Sequence, residues 1–152
     1  MRILEQGYKT NFVDTNDMFI GFDTSQDCCE SFGYFFTDKV SDDDPLNKRY
    51  EGWGDNYPTE KPVNLAALVF DIAFYRNEHG YDGGGFAVFK LVDKPADRAH
   101  TNDAKTVIYL VLYNNHNGYY GHGFTVMHGG TVIETNGDVQ YEGGETLRSG
   151  VI

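Results

Sequence analysis

The chain has 152 residues and a mass of 17.1 kDa, which predicts a single domain over residues 1–152 with a core of ordinary size. Its net charge is −11 at pH 7, and residues 1–60 carry 13 acidic against 5 basic side chains. Because proteins bind nucleic acid by neutralising phosphates with Lys and Arg, this charge argues against direct nucleic-acid binding and favours a basic protein partner. The sequence has neither an apolar run of about 20 residues nor a signal peptide, so we expect a cytoplasmic protein that does not associate with membranes.

Short alternating segments predict β-strands along most of the chain. The candidates are residues 2–5, 11–13, 18–23, 30–37, 86–92 and 131–135. Residues 63–68 favour a short helix that leads into a further strand. The predicted class is therefore mainly β, with α+β as the alternative, arranged as an antiparallel two-layer sandwich or half-barrel with little helix.

Residues 104–130 are the clearest predicted element, a hairpin around Asn117-Gly118. A two-residue turn there puts His122 opposite Tyr113, and both faces of the hairpin are apolar near its middle. We therefore expect the hairpin to lie centrally in a packed β layer. A second turn at Asn136-Gly137 ends the strand over 131–135, and the glycine-rich residues that follow predict a loosely built C-terminus.

Residues 39–62 are polar, rich in Asp, Gly and Pro, and without a sustained period, which predicts a long surface loop. The loop holds the sole tryptophan, Trp53, among acidic side chains. An exposed aromatic residue surrounded by carboxylates is typical of a protein-binding patch. The alternative is that Trp53 folds back into the core. The predicted partner-binding residues are Asp42, Asp43, Asp44, Glu51, Trp53 and Asp55.

The two cysteines, Cys28 and Cys29, are adjacent in the sequence. Neighbouring Cα atoms lie about 3.8 Å apart, whereas disulfides prefer roughly 4.4–6.8 Å, so a bridge between them would be strained. A reducing cytoplasm would also keep both thiols reduced. Three interpretations stay open: packing as small apolar side chains, ligation of a metal, and a reactive thiol.

Zinc takes four ligands from Cys, His and carboxylate side chains, and this chain offers a Cys2His2 set. The candidate ligands of a structural zinc are Cys28, Cys29, His116 and His122, with Asp27, Glu30 and His79 as substitutes. Their spacing matches no standard zinc finger. The alternative for each histidine is an ordinary surface or packed imidazole.

Motifs for catalysis are missing from the sequence: there is no nucleophile elbow, P-loop, zinc-protease helix or dinucleotide fingerprint. We therefore expect no catalytic residues and no enzyme. A Cys–His dyad between one of the two cysteines and His122 is the remaining catalytic alternative.

Two stretches carry a resemblance to known proteins. The sequence QDCCES at 26–31, followed by aromatic strand residues, and NGYY at 117–120 resemble a family of small phage and prophage proteins. That family often has a histidine a few residues before its Asp-Cys-Cys-Glu motif, where this chain reads Asp23-Thr24-Ser25. More loosely, the chain resembles phage anti-CRISPR inhibitors of type II effectors (Cas9), some of which are metal-stabilised and β-rich.

The anti-CRISPR resemblance implies stoichiometric binding in the host cytoplasm, where the inhibitor covers a basic surface of Cas9 that holds guide or target nucleic acid. A zinc- or cysteine-dependent phage hydrolase is one alternative. A structural or interaction protein of the phage is the other.

Overall fold

The described part of the chain is built of strands. The computed structural model describes residues 1–25, 31–38, 64–79, 85–94, 106–115, 120–136 and 138–152. Their strands are β1 (Arg2–Gln6), β2 (Lys9–Val13), β3 (Met18–Asp23), β4 (Ser31–Thr37), β5 (Leu68–His79), β6 (Gly85–Asp93), β7 (Val107–Asn115), β8 (Gly123–Thr135) and β9 (Asp138–Val151). One 3-10 turn, Leu65–Ala67, precedes β5, and these ranges hold no α-helix. The mainly β class is confirmed. The short helix predicted over 63–68 is replaced by the 3-10 turn Leu65–Ala67, and Leu68 already belongs to β5.

The strands form two antiparallel sheets whose inner faces share one core. The first sheet has the order β1-β2-β3-β8-β9 and the second β4-β7-β6-β5. The first sheet contributes Phe12, Ile20, Phe22, Phe124 and Val126 to this core, and the second contributes Leu68, Phe70, Phe89, Leu91, Leu110 and Leu112. The arrangement is the predicted antiparallel two-layer sandwich, and the two sheets do not close into a barrel.

Aromatic rings join the two sheets. Phe12 of β2 meets the ring of Tyr34 in β4 edge-on, with centroids 4.9 Å apart, and Phe89 of β6 meets Phe124 of β8 at 5.9 Å. Burying a phenylalanine side chain contributes about 1.5–3 kcal/mol, and edge-to-face contact adds about 0.5–1.5 kcal/mol. The sandwich is therefore held chiefly by apolar burial between its sheets.

The predicted hairpin over 104–130 is wrong. β7 lies in the second sheet between β4 and β6, whereas β8 lies in the first sheet between β3 and β9. Leu110 and Leu112 of β7 therefore face Phe124 of β8 across the core, rather than lying beside it. The outer face of β7 also packs apolar side chains, since Val111 clusters with neighbours on β6. Two apolar faces are what a strand in the middle of a covered sheet requires, and the Asn-Gly signal alone could not identify the partner strand.

The true hairpin of this region joins β8 to β9 through the second Asn-Gly pair. Thr135 pairs with Asp138, and Asn136 has a φ of 55°, as a tight turn of this type requires. The predicted turn is therefore confirmed. The expected loosely built C-terminus is wrong, because the residues that follow form the 14-residue strand β9.

Glycines let this hairpin bend so that its tip lies against the outer face of the first sheet. Gly129, Gly143 and Gly144 have φ values of 76°, 69° and 82°. Beyond the bend, the Tyr141 ring stacks on Phe19 with centroids 4.4 Å apart. At the tip, the Glu134 carboxylate pairs with Arg2 of β1 at 2.8 Å, and the Val139 N–H donates to the Gln6 side chain at 3.0 Å. The glycines of the C-terminal strand therefore shape a specific contact.

Candidate functional site

Most of the predicted functional residues lie outside the described residues. These are the zinc ligands Cys28, Cys29 and His116, the substitutes Asp27 and Glu30, and all six predicted partner-binding residues. His79 lies at the end of β5. His122 is the one predicted ligand whose surroundings the structure describes.

His122 is buried between the two sheets, with 2% of its surface exposed. Its backbone N–H donates to the Ile152 carbonyl at 2.8 Å, and its own carbonyl accepts from the Ile152 N–H at 3.0 Å. Its ring stacks on Phe32 of β4, with centroids 4.0 Å apart and planes inclined by 26°. The imidazole is therefore fixed by the first sheet through its backbone and by the second sheet through its ring.

The ring of His122 also has a defined proton position. Its Nδ1 lies 2.9 Å from the Asp23 carbonyl oxygen. Because a carbonyl only accepts, Nδ1 must carry the proton, and in a neutral ring the lone pair then resides on Nε2. Histidines that bind metals commonly donate one ring N–H to a carbonyl or carboxylate in this way. The tautomer of His122 thus suits ligation through Nε2.

The contacts of His122 bracket the segment that holds both cysteines. Asp23 is the last residue of β3, and Phe32 is the second residue of β4. The chain between these strands passes from the first sheet to the second, and both of its ends touch His122. Cys29 is three residues from Phe32, which is at most about 11 Å of extended chain. The predicted pairing of the cysteines with His122 is therefore within the reach of the chain.

Asn114 of β7 adds a second buried polar side chain at this end of the sandwich. Its Nδ2 donates to the Tyr120 carbonyl at 3.0 Å and to the Ile152 carbonyl at 2.9 Å, while its Oδ1 is buried and has no hydrogen-bond partner among the described residues. An unsatisfied buried acceptor costs about 1–3 kcal/mol. Asn114 holds the chain that enters β8 against the end of β9, which positions the backbone of His122.

Metal-ligating side chains do not form a complete site within the described ranges. No group of three or more His, Cys, Asp or Glu residues there is arranged to hold an ion. A site that uses His122 would have to draw its other ligands from residues outside those ranges, as the predicted set does for three of its four members.

Asp14 is a buried carboxylate that the sequence analysis missed. One oxygen, Oδ1, accepts from the backbone N–H groups of Asn16 at 2.8 Å and Met18 at 3.0 Å, and Oδ2 accepts from the Phe70 N–H at 2.8 Å. The first two contacts close the turn between β2 and β3, and the third crosses to β5 in the other sheet. The sequence Asp-Thr-Asn-Asp at 14–17 signals such a turn, but nothing in it signals the contact with Phe70. Asp14 is a structural tie between the sheets.

Comparison with known proteins does not assign the chain to a family, because no protein-family model, curated protein or solved structure matches it. In the part of the chain that the structure describes, no helix is long and apolar enough to cross a membrane.

Proposed function

We propose that this protein works by stoichiometric binding to a basic protein partner, as an anti-defence inhibitor of the anti-CRISPR kind. The observation that carries the proposal is the net charge of −11, concentrated in residues 1–60. A field of this sign attracts cationic surfaces and accelerates association with them. The Cas9-type effector implied by the resemblance of QDCCES and NGYY is the candidate partner, since its nucleic-acid channel is positively charged.

The charge of the described residues is unevenly divided between the sheets, which supports a binding face on the first sheet. The first sheet with its turns carries eight acidic and three basic side chains, whereas the second carries four and three. Glu5, Asp17, Glu142 and Glu145 of the first sheet are all exposed. This face would present carboxylates to a surface that otherwise holds phosphates.

The experiment is a cleavage titration of guide-loaded Cas9 at a fixed concentration of target DNA. We expect cleavage to fall linearly with added protein and to stop near one molecule per effector. Inhibition should weaken as salt is raised, because a Debye length of about 8 Å at physiological ionic strength shrinks to about 3 Å at 1 M. Full cleavage at a large molar excess would refute the choice of Cas9 as the partner.

Matched charge variants identify the face. We expect the Glu142→Gln and Glu145→Gln pair to slow association, because both carboxylates are exposed on β9. An Asp42→Asn, Asp43→Asn and Asp44→Asn variant tests the predicted loop patch in the same assay. The control is Asp71→Asn in the second sheet, whose carboxylate is engaged by Lys90 at 3.2 Å. Effects that scale only with the number of charges removed, which is two, three and one, would show that net charge acts without a defined face.

We also propose that Cys28, Cys29, His116 and His122 hold a structural zinc. Two thiolates and two imidazoles suit tetrahedral zinc, and a proton on His122 Nδ1 puts the lone pair of a neutral ring on Nε2. A zinc here would fasten the crossing between β3 and β4 to the start of β8, which is the end of the sandwich where His122 and Asn114 are buried. It would act on folding and not on a reaction.

Elemental analysis of protein purified without added metal or chelator tests the zinc. We expect about one zinc per chain, lost in Cys28→Ser and in Cys29→Ser, and lost in His122→Gln. The control is His128→Gln, because His128 is an exposed histidine of β8. Absence of metal from the wild-type protein would leave the cysteines as packed thiols and His122 as a core imidazole.

A further inference from the structure

A cleft opens between the two sheets where the edge strands β5 and β9 diverge. Its cavity volume is about 30 Å³. The floor is apolar and comes from both sheets: Met18, Ile20, Phe70, Phe89 and Val126. Further along the same edges the sheets are close, since a Cβ on Gly150 of β9 would lie 3.5 Å from the Asn77 side chain of β5. The cleft is therefore a local opening in an otherwise packed sandwich.

Two β-bulges form the mouth of the cleft. In β5, residues 71–74 stand opposite Lys90 alone, since Phe70 pairs with Leu91 and Tyr75 with Phe89. Asp71 secures this bulge, because its carboxylate accepts from the Ala73 N–H at 3.2 Å and pairs with Lys90. As a result Ile72 is 60% exposed. Bulges change the direction of side chains at sheet edges, and the bulge in β5 holds the Ile72 side chain beside the cleft.

The second bulge places Leu147 and Arg148 of β9 on the other side of the mouth. Val126 pairs with Arg148 and Met127 with Thr146, so Leu147 is the extra residue, and it is 39% exposed. The Arg148 guanidinium lies 4.5 Å from the centroid of the Tyr75 ring. Among the described residues no carboxylate pairs with Arg148. Stacking thus orients a cation at the cleft. Asp71 also lines the cleft, but its carboxylate is engaged by Lys90 at 3.2 Å.

The edge of β9 beside the cleft can accept another strand. β9 is the last strand of its sheet, so no other strand of the described ranges pairs with its outer edge. His122 and Ile152 exchange both backbone hydrogen bonds. In an antiparallel ladder such pairs alternate, so the N–H and C=O groups of Ser149 and Val151 point away from β8. Val151 is also 55% exposed. Unpaired edge groups of this kind are where extended peptides add to sheets.

We propose that this cleft binds an extended segment of a partner protein that carries one aliphatic side chain and an acidic side chain two positions away. The segment adds to the edge of β9 at Ser149 and Val151. Its aliphatic side chain enters the cleft between Ile72 and Leu147, and its carboxylate pairs with Arg148. The spacing of two follows because alternate side chains of a strand share a face.

The size of the cavity decides between a peptide and a free small molecule. Ligand pockets for drug-sized molecules run to roughly 300–1,000 Å³, whereas about 30 Å³ receives only the end of one side chain. Most of the affinity must therefore come from outside the cavity, and the edge of β9 supplies it through backbone hydrogen bonds. This inference is independent of the proposed function, because it uses the Arg148 guanidinium and the backbone edge of β9 and not the acidic side chains of the first sheet.

The test uses a capped hexapeptide of threonines with Leu and Glu two positions apart, titrated into the intact protein and followed by amide NMR shifts. We expect shifts centred on Ser149 and Val151. Replacing the peptide Glu by Gln should weaken binding by up to about fivefold, as an exposed ion pair contributes about 0.2–1 kcal/mol. Replacing its Leu by Ala should weaken binding about tenfold or more, since each buried CH₂ contributes about 0.8 kcal/mol.

A matched pair of arginine variants tests the role of the cation. In Arg148→Gln the Glu and Gln peptides should bind equally. Arg76→Gln is the control, because Arg76 also lies over a ring, Phe86 at 5.9 Å, but in the cluster on the outer face of the second sheet. Shifts elsewhere, or equal binding of the Glu and Gln peptides to the wild-type protein, would overturn the proposal. Dimerisation of the protein through β9, seen as edge shifts that vanish on dilution without peptide, would overturn it as well.

Discussion

Replacing Asp14 should destabilise the fold more than replacing any exposed carboxylate. Asp14→Ala removes the acceptor of three buried or half-buried backbone N–H groups, those of Asn16, Met18 and Phe70. Hydrogen bonds to charged groups contribute about 1.5–3 kcal/mol each, and part of this is offset because the carboxylate no longer has to be buried. We therefore expect a loss of about 3–5 kcal/mol from a domain whose stability is on the order of 5–15 kcal/mol.

Asp14→Asn separates the contacts of Asp14 within the turn from its contact with Phe70 of the other sheet. The amide keeps an oxygen for the turn between β2 and β3 but presents an N–H₂ group to the Phe70 N–H, so the tie between the sheets is lost while the turn remains. We expect a loss of about 2 kcal/mol for this variant, between wild type and Asp14→Ala.

Urea unfolding monitored by circular dichroism measures these differences, and Asp23→Ala is the control. The Asp23 side chain makes one exposed contact, to the Ser25 N–H at 2.9 Å, so its loss should be within about 1 kcal/mol. A change of that small size in Asp14→Ala would refute the reasoning, because it would show that the three contacts do not hold the sheets together.

Two further predictions concern alkaline pH and the bend of the long hairpin. Burial raises the pKa of Tyr34, and the Glu5 carboxylate beside it raises that pKa further, so this contribution to stability is present below about pH 10 and is lost as the pH rises above it. In urea unfolding at pH 9 and 11, Tyr34→Phe should lose less stability than wild type, and an equal loss would contradict this. Gly144→Ala should cost more than Gly143→Ala, although both positions have positive φ, because a Cβ at Gly144 would lie 2.8 Å from a backbone nitrogen while one at Gly143 meets nothing within 4 Å. Their thermal midpoints measure the difference, and equal midpoints would show that the bend tolerates the contact.

The sequence predicted the class of the fold because alternation of apolar and polar residues is a local signal. The strand over 18–23 and the turn at Asn136-Gly137 both follow from neighbouring residues alone. The pairing of strands is not local. β7 and β8 are adjacent in sequence and separated by an Asn-Gly pair, yet they lie in opposite sheets, because each has two other neighbours that complete its ladder.

The structural role of individual glycines also could not be predicted from the composition. The C-terminal glycines predicted a loose segment. In the structure, the lack of a side chain at Gly150 leaves space for the Phe124 ring, and the lack of one at Gly130 leaves space for the Tyr141 ring. A Cβ at Gly130 would lie 2.4 Å from that ring. Glycine in a strand can mark close approach as well as flexibility, and the sequence does not state which.

The candidate site was likewise predictable from the sequence only in part. His122 was singled out for its chemistry, and the structure adds what chemistry alone could not supply: its burial, the contact of its Nδ1 with the Asp23 carbonyl and its stacking on Phe32. Arg148 had no sequence signal at all. Its position at a cleft depends on two bulges, at residues 71–74 of β5 and at Leu147 of β9, that are distant in the chain and meet only through the sandwich.

Stoichiometric inhibition of a basic partner is the central claim, and one titration tests it most directly. Guide-loaded Cas9 is held at a concentration far above the expected dissociation constant, and DNA cleavage is measured against added protein. The account predicts a straight decline that ends near one molecule per effector, with the endpoint unchanged by longer incubation. Cleavage that stays complete at large excess would contradict it, and so would inhibition at far less than one molecule per effector, which would mean that the protein acts as an enzyme.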